Sequence, residues 1–319
     1  MLEKIRVGTF TDKKRGTGAT VFLFEDGAVV SYRKFGFAIG ERELVPCEPE
    51  HVVPKIHALL FTGGSALGLD AASGIVRFLE EKGLGFLTPY KAIPIVPTAV
   101  IFDLSIGDHN ARPAPDDLYL ACKNSQSTPP PSGCAGAGTG ATVGKVCGID
   151  FAMKSGQGWA QIELDNCVLA AFCVVNAFGD VIDPSTGKIV AGARKPDNPK
   201  QFLDTSKAII AWEKPPKSAF DSTNTVLMGI FTSAKLDKLQ AKMLAMAGGS
   251  AIARVIKPAH TLYDGDICFA ASVGDKEIPL VKLMTAAQEL VASAAIDAVK
   301  SAESLFGLPA AKDIESGNA

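Results

Sequence analysis

Thr225 follows Asn224 and opens an apolar, strand-like run, Thr225-Val226-Leu227-Met228-Gly229-Ile230-Phe231. A Thr hydroxyl in mid-chain is a weak nucleophile. It becomes a competent one when the peptide bond before it is cut, because the freed α-amine can then take the hydroxyl proton. An α-amine titrates at about 7.7–8.0 in model peptides, so it accepts a proton at a pH where an ordinary Lys does not. Asn224-Thr225 is therefore read as a candidate self-cleavage site that turns into an active site. The polar stretch 213–224 ahead of it supplies a reachable bond and a loop able to move away afterwards. On local grounds alone, a turn residue ahead of a strand explains Asn224 more simply.

Other residues offer supporting chemistry, each with a plainer alternative. Asp264-Gly265-Asp266 sets two carboxylates two residues apart, ahead of a strand, where they can orient an ammonium or hydroxyl and shift its pKa; an ordinary Asp-Gly turn has the same sequence. Gly63-Gly64-Ser65, at a strand-to-helix junction, can bind an anion or substrate oxygen through backbone N–H groups, or form a tight turn with Ser65 near the cap. Asn176 interrupts an apolar run, so its amide needs buried partners and is either a structural hub or an oxyanion donor. Lys145 ends a Gly-rich stretch, Gly140 to Lys145. That stretch misses phosphate-loop spacing, with Thr139 where a Gly belongs and Val146 where a Ser or Thr belongs, so nucleotide binding is rejected. Lys145 is then a source of charge for a site or a solvated surface residue. Gly248-Gly249-Ser250 competes for the nucleophile role, but it lies between helical halves, which points to a helix break or close helix packing.

The elements that must position these groups are legible in outline. His57 to Thr62 is an apolar strand, followed by Gly63-Gly64-Ser65 and a helix with Leu69, Ala72, Ile75, Val76 and Leu79 on one face. Thr20 to Phe24 and Ala28 to Tyr32 read as strands joined by a hairpin turn at Glu25-Asp26-Gly27. A buried strand is expected over Ile93 to Leu104, and strands over Gly158 to Asp165, Val168 to Asn176, Asp180 to Ile182, Thr225 to Phe231 and Ile267 to Val273. Ala234 to Val255 and Leu280 to Phe306 read as helices. Residues 123–144 form a long loop, and residues 184–224 are mostly polar and turn-rich. Strands bracketed by helices without regular alternation predict an α+β fold with an αββα core in one 319-residue domain.

Composition narrows the function classes. The net charge is −2 and no basic cluster exists, which argues against nucleic-acid binding. No apolar run is long enough for a membrane span, and Met1-Leu2-Glu3-Lys4-Ile5-Arg6 has no signal-peptide character. Seven cysteines without a Cys-x-x-Cys suggest reduced thiols and a cytoplasmic setting. The four histidines have no metal-pair spacing, so neither metal nor other cofactor is expected.

Together these segments resemble the L-aminopeptidase/D-esterase family of N-terminal-nucleophile hydrolases, which includes β-peptidyl aminopeptidases and nylon-oligomer hydrolases. The similarity covers almost the whole chain. It is carried most specifically by Gly63 to Ala72 and by Pro258-Ala259-His260-Thr261-Leu262-Tyr263-Asp264-Gly265-Asp266, with support from Gly16 to Val21, Pro94-Ile95-Val96-Pro97, Gly140 to Lys145 and Asn224-Thr225. The resemblance implies autocleavage into fragments 1–224 and 225–319 that stay associated, with Thr225 as nucleophile. It places Asp264 and Asp266 beside Thr225, assigns Asn176 to the oxyanion or to substrate positioning, and puts Lys145 in the nucleophile's surroundings. It further implies an αββα sandwich in homo-oligomers, acting on short peptides, β-peptides or linear oligoamides. Where some family members carry a functional Tyr, this chain has Phe102; Tyr90 and Tyr263 are the candidate substitutes. A non-hydrolytic small-molecule-binding relative and an acyltransferase with the same nucleophile are the alternatives.

Overall fold

The structure is a computed structural model and describes residues 3–214 and 224–315. Most of the polar stretch expected ahead of the cleavage site, residues 215–223, lies outside the described residues.

Two sheets are packed face to face and share one strand. The first contains, in order, Gln157–Leu164, Cys167–Asn176, Thr225–Ala234 and Ile267–Lys276. The second contains Arg6–Asp12, Ile56–Thr62, Thr98–Val100 and Glu41–Arg42. The 18-residue strand Thr17–Lys34 belongs to both. Its first half pairs with Arg6–Asp12 and Ile56–Thr62, and its second half, from Val29, pairs with Ile267–Ser272. The expected hairpin at Glu25-Asp26-Gly27 is therefore absent. Residues 29–34 pair across the other sheet and not back on 17–24, and a register shift together with Gly27 at φ +71° takes up the corner. An Asp-Gly signal marks a break in regular pairing, and a sheet-changing corner satisfies it as well as a reversal does.

The central strands are apolar without alternation because both of their faces are covered. In Cys167–Asn176, residues Leu169, Ala171, Cys173 and Val175 face one helical layer, while Ala170, Phe172 and Val174 face the other sheet. Val226, Met228 and Ile230 divide from Leu227 and Phe231 in the same way. Between the sheets Phe22 meets Phe61, Phe172 and Phe231 at ring-centre distances of 5.9, 5.2 and 4.3 Å. Such pairs contribute about 0.5–1.5 kcal/mol each beyond area burial. Helices Lys238–Ser250 and Leu280–Lys300 cover the first sheet, and Ala72–Glu81 and Pro115–Lys123 cover the second. The four layers are the expected αββα sandwich.

Thr225–Ala234 runs antiparallel to Cys167–Asn176 and parallel to Ile267–Lys276, with Lys238–Ser250 as the crossover. That helix starts at Asp237, whose side chain caps Gln240 N–H, and not at Ala234, which still pairs in the sheet. Gly248 and Gly249 do not break it. A Cβ on Gly248 would stand 2.2 Å from Ile230 Cδ1, and one on Gly249 2.2 Å from Phe35 Cε2, so this is the close-packing alternative. The last long helix ends at Lys300, short of Phe306, and the buried stretch expected over Ile93 to Leu104 is reduced to Ala92–Ile93 and Thr98–Val100. No described helix is long and apolar enough to cross a membrane.

Candidate active site

Register places the first pair of groups. Asn176 ends its strand and Thr225 begins the next, and the two are direct cross-strand partners, both buried. Thr225 Oγ1 lies 2.5 Å from the carbonyl oxygen of Asn224. The same oxygen accepts the Gly265 N–H at 2.6 Å, while the Asn224 N–H donates to Tyr263 O at 2.9 Å. The peptide bond before Thr225 is thereby stretched along the 263–265 segment, with its carbonyl held by one backbone donor. Gly265 is required by proximity: a Cβ there would stand 2.4 Å from Ala38 O and 2.8 Å from Thr225 Oγ1.

Asp264 and Asp266 flank that glycine, and their side chains take different partners. The Asp264 carboxylate accepts Thr261 N–H at 2.9 Å, Thr261 Oγ1–H at 2.6 Å and Phe178 N–H at 3.3 Å. Burial, and then the like charge of Asp266, push its pKa above the usual carboxylate range. Asp266 Oδ1 accepts Val226 N–H at 2.7 Å, and Oδ2 accepts His260 N–H at 3.3 Å and Nδ1–H at 2.8 Å. Four backbone bonds, from Phe35 and Gly36 to Asp266 O and from Phe37 and Ala38 to Asp264 O, clasp this segment to the end of the shared strand.

Asn176 and Lys145 complete the cluster. Lys145 Nζ donates to Asn176 O at 3.0 Å and to Asn176 Oδ1 at 2.9 Å. The Lys is buried, which lowers its pKa to about 7; the Asp264 charge pulls the value back up and Lys154 pushes it down. Asn176 Oδ1 also accepts Thr142 N–H at 3.0 Å, and Nδ2 donates to the Phe102 carbonyl at 3.0 Å. Among the described residues no acceptor takes the second Nδ2 hydrogen. Asn176 is thus fixed as a hub that still has one donor to give.

Gly63, Gly64 and Ser65 stand differently from what was expected. Their N–H groups already donate, to Gly18 O at 2.9 Å, Asp103 Oδ1 at 2.7 Å and Ile101 O at 3.0 Å, so this turn offers no open anion cradle. Its helix is also a 3₁₀ turn, Ser65–Ala71, before the α-helix begins at Ala72. Among the described residues the trio is linked to the cluster through Asp103, whose neighbour Phe102 accepts a bond from Asn176. Phe102 contributes its carbonyl and has no hydroxyl to offer. Tyr90 is 95% exposed on a separate hairpin, whereas Tyr263 packs its ring on Phe178 at 5.2 Å. Ser250 caps its own helix by donating to Ala247 O.

Several participants are not among the expected site residues. Gly265 acts through its amide, Phe102 through its carbonyl, and Thr142 and Thr261 through short polar contacts. Lys154 is a second buried lysine, donating to Thr139 O and Ala141 O at 3.0 and 2.6 Å. Asp103 is buried and also accepts Thr17 Oγ1–H at 2.8 Å; burial raises its pKa to about 6. Between its ordinary 3.8 and 6 the folded chain holds more protons on Asp103 than the unfolded chain does, so this stabilisation is present at low pH and is lost as pH rises through 6. Melting temperatures at pH 4, 5 and 6 should therefore show wild type losing ground to Asp103→Asn, by at most about 1.4 kcal/mol per pH unit. Parallel curves would mean that Asp103 titrates normally.

A two-sheet sandwich between helix pairs, with a Thr opening a central strand beside an Asp-Gly-Asp segment, defines a class. The model of peptidase family S58 matches residues 2–312, and the chain belongs to that family. It is a hydrolase of amide bonds. An uncharacterized aminopeptidase of Mycobacterium leprae is 36% identical over 92% of this chain and 84% of that protein. A 6-aminohexanoate-oligomer endohydrolase of Paenarthrobacter ureafaciens is 28% identical over 93% and 81%. Among solved structures, the L-aminopeptidase D-Ala-esterase/amidase of Ochrobactrum anthropi, described as a variant of the Ntn hydrolase fold, superposes with a TM-score of 0.69. It shares 19% identity over 96% of this chain and 86% of that one, a likeness of fold. A Burkholderia sp. β-aminopeptidase superposes at 0.68, with 16% identity over 98% and 90%.

Proposed function

We propose that the chain is an autoprocessed amide hydrolase whose nucleophile is Thr225, released by cleavage of the Asn224–Thr225 bond. The observation that carries this is the placement of Thr225 Oγ1 against the Asn224 carbonyl, whose oxygen is already held by the Gly265 N–H. Attack by Oγ1 on the Asn224 carbonyl carbon closes a five-membered ring, and the Gly265 N–H stabilises the oxygen as it gains charge. Collapse breaks the C–N bond, the Thr225 nitrogen leaves as an amine, and water hydrolyses the Asn224 ester. Fragments 1–224 and 225–319 result.

The new α-amine is then the base for the same hydroxyl. Asp266, already bonded to the adjacent Val226 N–H, orients the amine, and Asp264 and Lys145 set the local charge. The substrate carbonyl is attacked by Oγ1, its developing oxyanion takes the remaining Asn176 Nδ2 hydrogen, the amine departs, and water frees the acyl group. The relatives' names support short peptides and linear oligoamides as substrates. Homo-oligomers of processed protomers belong to the same reading. Intact mass spectrometry of purified wild type should give two species that sum to the chain plus water, the smaller beginning at Thr225. A single full-length species after long incubation at neutral pH would sink the proposal.

A further inference from the structure

Among the described residues, the hydrogen-bond partner of the His260 side chain is Asp266. Its Nδ1 lies 2.8 Å from Asp266 Oδ2, and because a carboxylate only accepts, Nδ1 carries the hydrogen. Its Nε2 is buried, and no described residue hydrogen-bonds it. The ring is stacked on Phe35 at 5.0 Å and 20°, and Phe35 itself donates its N–H to the Asp266 carbonyl. The His260 backbone sits at φ +56°, a conformation that non-glycine residues adopt where their surroundings over-determine it. Backbone strain, ring stacking and the side-chain bond all serve the same end: presenting Nδ1 to Asp266.

We infer that His260 is a positioning residue that fixes the rotation of the Asp266 carboxylate, and through it the amine end of Thr225. This rests on the reading of Thr225 given above. Asp266 has one oxygen on Val226 N–H and the other on His260. With Nδ1 removed, Oδ2 keeps only the 3.3 Å bond from the His260 N–H, and the carboxylate is free to rotate about its Oδ1 contact. A base whose orienting partner swings is misplaced relative to its proton, and displacement on the scale of an ångström costs up to about 100-fold in rate.

The test compares side chains that put a donor in different places. Asn reproduces the Nδ1 position and tolerates positive φ, whereas the Gln donor lies one bond further out. His260→Asn should process its precursor and hydrolyse an aminoacyl p-nitroanilide within a few-fold of wild type. His260→Gln and His260→Ala should process slowly and lose about 10- to 100-fold in kcat with KM little changed. The Asn and Gln variants keep the comparison decisive if His260→Ala fails to fold. Equal rates for His260→Asn and His260→Gln, or wild-type rates for His260→Ala, would overturn the role of Nδ1. A wild-type chain that never splits would instead overturn the Thr225 reading and this inference with it.

Discussion

A chain carrying Thr225→Ala should stay in one piece and be inactive. The alanine removes the hydroxyl that lies 2.5 Å from the Asn224 carbonyl oxygen, so on the proposed mechanism neither scission nor acyl transfer has its nucleophile. Loss of a covalent nucleophile in serine hydrolases costs up to about a million-fold in kcat, and here the precursor also keeps the amine blocked, so a loss of at least about 10⁴-fold is expected. The fold should survive, because Thr225 contributes one strand-end residue whose register bonds run through the backbone. Thr225→Ser restores the hydroxyl and should restore two fragments on a denaturing gel. Cleavage of Thr225→Ala at the same bond would assign the attack to another group.

Gly265→Ala is the second change expected to act strongly, although it touches no side-chain chemistry. The added methyl falls 2.4 Å from Ala38 O and 2.8 Å from Thr225 Oγ1, and both distances are below any real contact. Something must shift, and Ala38 is tied by its own N–H to Asp264 O, so the 264–266 segment is the part that yields. That movement withdraws the Gly265 N–H from the Asn224 oxygen. Removal of one such donor costs about 10²–10³ in rate, so the half-time of processing should lengthen by that factor. Time courses of precursor disappearance, on protein with wild-type circular dichroism, check this. Processing at the wild-type rate would show that the Gly265 amide is not the donor that matters.

The layered fold was readable in this chain because its strands are buried on both faces and therefore appear as unbroken apolar runs, as in Cys167–Asn176. The corner at Gly27 was not readable, since a strand that changes sheets and a hairpin share the same local signal. Asp264, Asp266, Asn176, Lys145 and Thr225 drew attention as polar residues in suggestive places. Their contacts did not, because Phe102 O and Asn176 Nδ2 are 74 residues apart and Phe178 N and Asp264 Oδ1 are 86 apart. Backbone groups such as the Gly265 N–H have no letter of their own. His260 has no spacing to another histidine that would mark it, because its partner is a carboxylate six residues on.

Strand order has a practical corollary for anyone handling the pieces. Thr225–Ala234 and Ile267–Lys276 lie side by side, with Cys167–Asn176 against one flank and Thr17–Lys34 against the other. A cut before Thr225 leaves those two strands as the middle of a sheet whose edges belong to the other fragment. On the proposed cleavage, each product would therefore be expected to stay paired with its counterpart. Made from two separate genes, the 225–319 piece would carry two long bare apolar edges and aggregate, and soluble material should come only from synthesising both pieces together or from the joined precursor.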